Sequence, residues 1–239
     1  MGQLTEFFMK SPGGPPPNMS FAMPMIKDWV PRWIQPWLYV LTALCFQFGG
    51  GYYLGALEVI RGTTNFMIED VMFLLYASLA GMAVYFPMLF RMKFRFTNKQ
   101  LLCASAIVLG ICNIVTMYSQ SMPVLVVACF IAGMAKIQGT FECMSNIQLW
   151  ITPRRDFSVF FPVLHIILLT AIEGSGWLAA WFGHHFTWQM MHVFTVGTMS
   201  FVLLTQLLCC RPFCPMPQRL SLKGMDFQGA LLICALMLV

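Results

Sequence analysis

Apolar residues in this sequence run in long, nearly charge-free blocks, at roughly 37–57, 70–90, 101–117, 122–150, 158–183 and 188–210. A hydrocarbon core of about 30 Å demands about 20 apolar residues of a helix that crosses it. Blocks of this length therefore restrict the chain to membrane-spanning helices more tightly than any short motif could. The remaining surface chemistry agrees, because the chain is 59% hydrophobic and only 10% charged, against about 25% charged in ordinary soluble domains. The expected fold class is an all-α membrane protein. Its expected organisation is a cytoplasmic N-terminal tail with an interfacial Trp segment at 1–36, six transmembrane helices at 37–210, a cytoplasmic loop at 211–225 and a truncated seventh helix at 226–239.

Charge sets the expected orientation. Lys and Arg collect in cytoplasmic loops, and of the 14 basic residues only Arg61 and Lys136 depart from one set of alternate segments. Lys10, Lys27 and Arg32 lie in the tail. Arg91, Lys93, Arg95 and Lys99 follow the second block, Arg154 and Arg155 the fourth, and Arg211, Arg219 and Lys223 the sixth. The pattern implies a cytoplasmic N-terminus, so the net charge of +5 is an address for topology and not a footprint for nucleic acid. Residues 1–35 contain no apolar core of a cleavable signal, so the first span is expected to act as its own insertion signal. Trp29, Trp33 and Trp37 recur every fourth residue, which predicts an interfacial helix in the aromatic belt.

Ionisable groups inside the blocks carry the functional reading, since each costs about 2.5–3.5 kcal/mol at the bilayer centre on insertion scales. Lys136 and Glu142 lie on the fourth block six positions apart, about 120° around a helix, so each needs a partner on another element. Gln138, Glu142, Ser145 and Asn146 share one face and should look inward. The fifth block supplies His165 and Glu173, with Gly174 and Gly176 beside the acid to permit close helix approach. Glu173 is the expected partner of Lys136. These groups fit either a substrate or proton pathway along Lys136, Gln138, Glu142, Asn146, His165 and Glu173, or a buried pair that only joins two helices. Gly49, Gly50 and Gly51 predict a hinge or cavity wall in the first span. Cys209, Cys210 and Cys214 lack the second ligand pair of a zinc site, and the other cysteines lie in apolar blocks as small hydrophobes. No metal and no cofactor is expected.

Several stretches resemble the major facilitator superfamily, in particular its fourteen-helix drug:proton antiporter branch. Gly176-Trp177-Leu178-Ala179-Ala180-Trp181-Phe182 followed by Phe186-Thr187-Trp188-Gln189-Met190-Met191 is similar to that family's helix 5, short outer loop and helix 6 start. Thr152-Pro153-Arg154-Arg155 resembles its Pro-x-Arg-Arg turn, and Gly224-Met225-Asp226-Phe227-Gln228-Gly229 its lead into helix 7. In the loop after the second block the basic residues Arg91, Lys93 and Arg95 remain, while Arg91 stands where the family has Asp. The family's membrane Arg on helix 4 corresponds to Cys129. The resemblance covers about 37–239 and implies a six-helix bundle of major-facilitator type plus the start of a seventh helix, the N-terminal half of a diverged transporter.

What the resemblance implies is a secondary-active exporter that exchanges amphipathic small molecules for protons across the cytoplasmic (inner) membrane. It also implies a missing C-terminal half that rocks against this one about a midplane site, and it allows docking to a periplasmic adaptor protein. A chain without that second half is expected not to transport alone. Two rivals are a non-transporting membrane scaffold and an integral-membrane enzyme using His184, His185 and His192, whose adjacent histidines point to different helix faces.

Overall fold

The computed structural model describes residues 25–31, 33–48, 56–63, 66–150 and 157–213, together with 228, 229, 232, 235 and 236. All named elements among these are helical. They are α1 (Gln35–Phe48), α2 (Leu57–Thr63), α3 (Ile68–Tyr85), a 3₁₀ turn at Phe86–Met88, α4 (Leu89–Arg95), α5 (Asn98–Tyr118), α6 (Met122–Trp150), α7 (Phe157–His185) and α8 (Met190–Cys209). Four stretches are long and apolar enough to cross a membrane, namely Ile68–Arg95, Asn98–Tyr118, Met122–Ile147 and Met190–Cys209. They coincide with the second, third, fourth and sixth apolar blocks. Within the first block α1 is an apolar helix of 14 residues, and Gly49, Gly50 and Gly51 lie outside the described residues. The fifth block is helical over 29 residues, and most of the expected seventh helix lies outside the description.

Local chemistry explains where the helices begin and bend. Thr97 caps α5 by accepting from the Gln100 backbone N–H, while the Gln100 side chain accepts from the Thr97 N–H. This reciprocal capping box starts the helix three residues before the apolar block does. Asp70 accepts from the Met67 N–H at 2.9 Å and fixes the entry to α3. Pro87 lies in the 3₁₀ turn after α3, where a ring without an N–H cannot continue the α-helical ladder, and the chain restarts as α4. The Trp segment is not the helix expected of it. Trp29 and Trp33 stand in turns, and only Trp37 is helical, because Pro31 between them removes a donor and disfavours helix at the residue before it. All three indoles are nonetheless exposed.

The bundle is organised around α6, which packs against α3, α5 and α1, while α5 also packs on α8 and α1 on α7. At the α3–α6 crossing the two backbones touch. A Cβ on Gly81 would run into the Phe130 carbonyl, and one on Gly133 into the Ser78 carbonyl. Ala77 and Ala80 are fully buried beside them, so the crossing is made by small residues that let helices approach without side chains between.

Polarity is inverted relative to a soluble protein. On α5 the exposed face carries Ile107, Ile111 and Ile114, whereas Asn98, Ser105, Asn113 and Thr116 are buried. On α8 Phe201, Leu204 and Leu208 are exposed while His192, Thr195 and Gln206 are buried. Water would reward the reverse arrangement. Lipid rewards this one, since apolar side chains can face hydrocarbon and polar ones must find partners inside.

Candidate functional site

A chain of polar side chains crosses the interior at the end of the bundle where α4 joins α5. The inward stripe of α6 supplies Glu142, Ser145 and Asn146 at helical spacing. Opposite them α4 delivers Lys93, which falls four residues after the buried Leu89 and beside the buried Phe94, on the inner face of that short helix. Lys93 Nζ lies 3.3 Å from Glu142 Oε1, with the two side chains only 5% and 1% exposed. Lys93 Nζ also donates to Ser145 Oγ and to Asn146 Oδ1, and it stands 6.0 Å from the centroid of the Phe141 ring, within cation–π reach. Asn146 Nδ2 donates to Glu142 Oε1 at 3.2 Å and to Asn98 Oδ1 at 2.8 Å, and Asn98 Nδ2 donates to the Tyr39 hydroxyl. One hydrogen-bonded path thus links α4, α6, α5 and α1.

The face expected to look inward does so, since Gln138, Glu142 and Asn146 are buried. The partner expected for Lys136 is not where the sequence suggested. Glu173 and His165 on α7 are both exposed, and among the described residues the ion pairs are Lys93–Glu142 and Arg211–Asp28. The reason lies in packing: α7 lies chiefly against α1 and not against α6, so consecutive long helices are not neighbours here. Lys136 is 7% exposed and has no carboxylate beside it among the described residues. Glu142 Oε2 is buried and also lacks a hydrogen bond there. Gly174 has open space where a Cβ would stand, so it does not serve the close approach expected of it, and Gly176 is half-buried. Arg91 and Arg95 are half-buried on α4, and Arg154 and Arg155 lie outside the described residues.

Sequence reading missed Asn98, Tyr39 and the inward turn of Lys93. The spacing of Lys93 from Leu89 was the available signal, since residues four apart share a helix face. A second cluster, towards the other end of the bundle, was also missed. His192 Nδ1 on α8 lies 2.9 Å from Asn113 Oδ1 and 3.2 Å from Thr116 Oγ1 on α5. His184 and His185 are exposed at the end of α7 and touch each other edge to face. His192 therefore points into the bundle while the other two do not, and no group of three potential metal ligands forms among the described residues. No disulfide joins two cysteines among the described residues, and Cys45, Cys112, Cys129, Cys143 and Cys210 are buried.

The membrane-length helices, the lipid-facing apolar surfaces and the buried polar path together define the class: an all-helical, multi-pass membrane protein. No protein-family model matches the sequence, and no curated protein matches it either.

Proposed function

We propose that the chain is part of a secondary-active transporter, a proton-coupled exporter of amphipathic small molecules of major-facilitator type. The observation that carries this reading is uncompensated charge inside a membrane-length helix. Lys136 is buried on α6 without a carboxylate, and one oxygen of the buried Glu142 has no hydrogen bond, among the described residues. Such groups are costly in a bilayer, and helix association alone gives no return for an unmatched cation. A transporter uses them, because a buried carboxylate or amine can change protonation as its surroundings open and close. Glu173 and His165 are exposed on α7; in this reading they face a second half of the transporter, with the basic α4 on the cytoplasmic side. An adaptor protein outside the membrane is compatible with this scheme.

The test is efflux driven by an imposed pH gradient in inside-out vesicles carrying the full-length transporter. Lys136→Met and Glu142→Gln are expected to abolish coupling while the protein still inserts, and Glu173→Gln to weaken it. Unaltered coupling in Lys136→Met and Glu142→Gln would reduce both residues to helix-joining roles.

A further inference from the structure

Two lysines converge at the end of the bundle where the chain leaves α8. Lys27 Nζ lies 3.5 Å from the Leu207 carbonyl oxygen, and Lys99 Nζ lies 3.2 Å from the same oxygen. Sharing one acceptor keeps the two ammonium groups no farther apart than those two distances laid end to end. Lys99 also donates to the Cys210 carbonyl at 3.3 Å. The segment carrying Lys27 is held in place by its backbone, with the Lys27 N–H on the Cys209 carbonyl and the Arg211 N–H on the Met25 carbonyl. Both lysines are half-buried.

This pair is short of negative charge. The last carbonyls of a helix offer about half an elementary charge, against two full positive ones. The neighbouring Asp28 is taken by Arg211, and neither lysine has a carboxylate among the described residues. An ammonium group has three N–H donors, so two remain on Lys27 and one on Lys99 after these bonds. Like charges held this close repel. An anion bridging them removes the repulsion and takes the spare donors.

The surroundings decide which anion fits. Leu204, Leu207 and Leu208 of α8 are exposed, on a helix long and apolar enough to cross a membrane. On α5, which packs against α8, Cys103 and Gly110 continue the helix face of Lys99. Both are half-buried, and a Cβ on Gly110 would meet nothing within 4 Å. An open apolar seam between α5 and α8 thus leads from the lysines towards mid-membrane. Paired cations at the head of such a seam suit a phosphate joined to acyl chains, and they favour a net-anionic lipid over one whose own ammonium cancels its phosphate.

We propose that Lys27 and Lys99 form a headgroup site for an anionic phospholipid, its phosphate bridging the two ammonium groups and an acyl chain lying along the α5–α8 seam against Leu207. The site is independent of the transport reading and needs only that this end of the bundle meets a membrane surface.

The experiment uses the full chain in nanodiscs of equal parts phosphatidylglycerol and phosphatidylcholine, with the lipids that stay bound on release identified by native mass spectrometry. The wild type is expected to retain phosphatidylglycerol about thirtyfold over phosphatidylcholine, the scale of two lysines at an anionic lipid surface. Lys27→Gln with Lys99→Gln should erase that preference, Lys27→Arg with Lys99→Arg should keep it, and Arg61→Gln at the opposite end should leave it unchanged. Lys27 lies outside the helices, so Lys27→Gln alone keeps the test decisive if the double variant fails to insert, and it should lower the preference about fivefold. Equal retention of the two lipids by the wild type would overturn the proposal, as would an unchanged preference in Lys27→Gln. Displacement of phosphatidylglycerol by an equal concentration of inorganic phosphate would overturn the lipid as occupant, since the lysines would then hold a free anion.

Discussion

Lys93 and Glu142 face each other with almost no water around them, so the value of the pair lies in what happens when one member is lost. Removing one partner of a buried pair leaves an uncompensated charge and typically costs about 3–5 kcal/mol, whereas replacing both by apolar residues is often neutral. Glu142→Leu should accordingly lower the thermal unfolding temperature sharply in detergent micelles. The double variant Lys93→Met with Glu142→Leu should recover most of that loss. Equal unfolding temperatures for single and double variants would show that the pair contributes nothing at this position. The His192 cluster behaves differently, because its members are joined by hydrogen bonds and not by an ion pair. Asn113→Leu removes an acceptor from the buried His192 and is expected to cost about 1–3 kcal/mol by the same measurement.

Between helices the decisive contact is the α3–α6 crossing, where glycine is required by distance and not by backbone angle. Any side chain at Gly81 or Gly133 meets a carbonyl of the opposite backbone, and a backbone cannot rotate aside as a side chain can. Gly133→Leu is therefore expected to push the helices apart and to lose more stability than the about 1–3 kcal/mol of ordinary overpacking. Gly174→Ala on α7 meets nothing and should be neutral or stabilising by about 0.5–1 kcal/mol, the usual cost of glycine in a helix. Unfolding temperatures that fail to separate these two variants would remove the crossing as a determinant of the fold.

For the molecule as a whole, the ends of the bundle carry the topological information. Residues 25–28 lie along the exit of α8, joined by Lys27 N–H to the Cys209 carbonyl at 2.8 Å and Arg211 N–H to the Met25 carbonyl at 2.7 Å. Lys99 donates to the Leu207 and Cys210 carbonyls, and the Asn98 N–H to the Phe213 carbonyl. The N-terminal segment, the α4–α5 turn and the segment after α8 are thereby gathered at one end, the end that carries Lys27, Lys93, Lys99 and Arg211. Glu58 and Arg61 on α2 belong to the other. In a background without native cysteines, Glu58→Cys should react with an impermeant maleimide on intact cells, and Arg211→Cys only after permeabilisation. Labelling of both from outside would sink the proposed threading.

Block length alone was enough to specify the four membrane-length helices seen among the described residues, because a bilayer imposes one thickness on every span and apolar runs record it directly. The inward face of α6 was equally legible, since helical period places Gln138, Glu142 and Asn146 together whatever surrounds them. Which groups those residues meet was not. Lys93 looked like a loop cation and Glu173 like the partner of Lys136, because sequence order says nothing about which helix lies beside which. Tertiary packing set α4 against α6 and α7 against α1. It thereby decided that Glu142 is paired and that Lys136 stands without a carboxylate among the described residues.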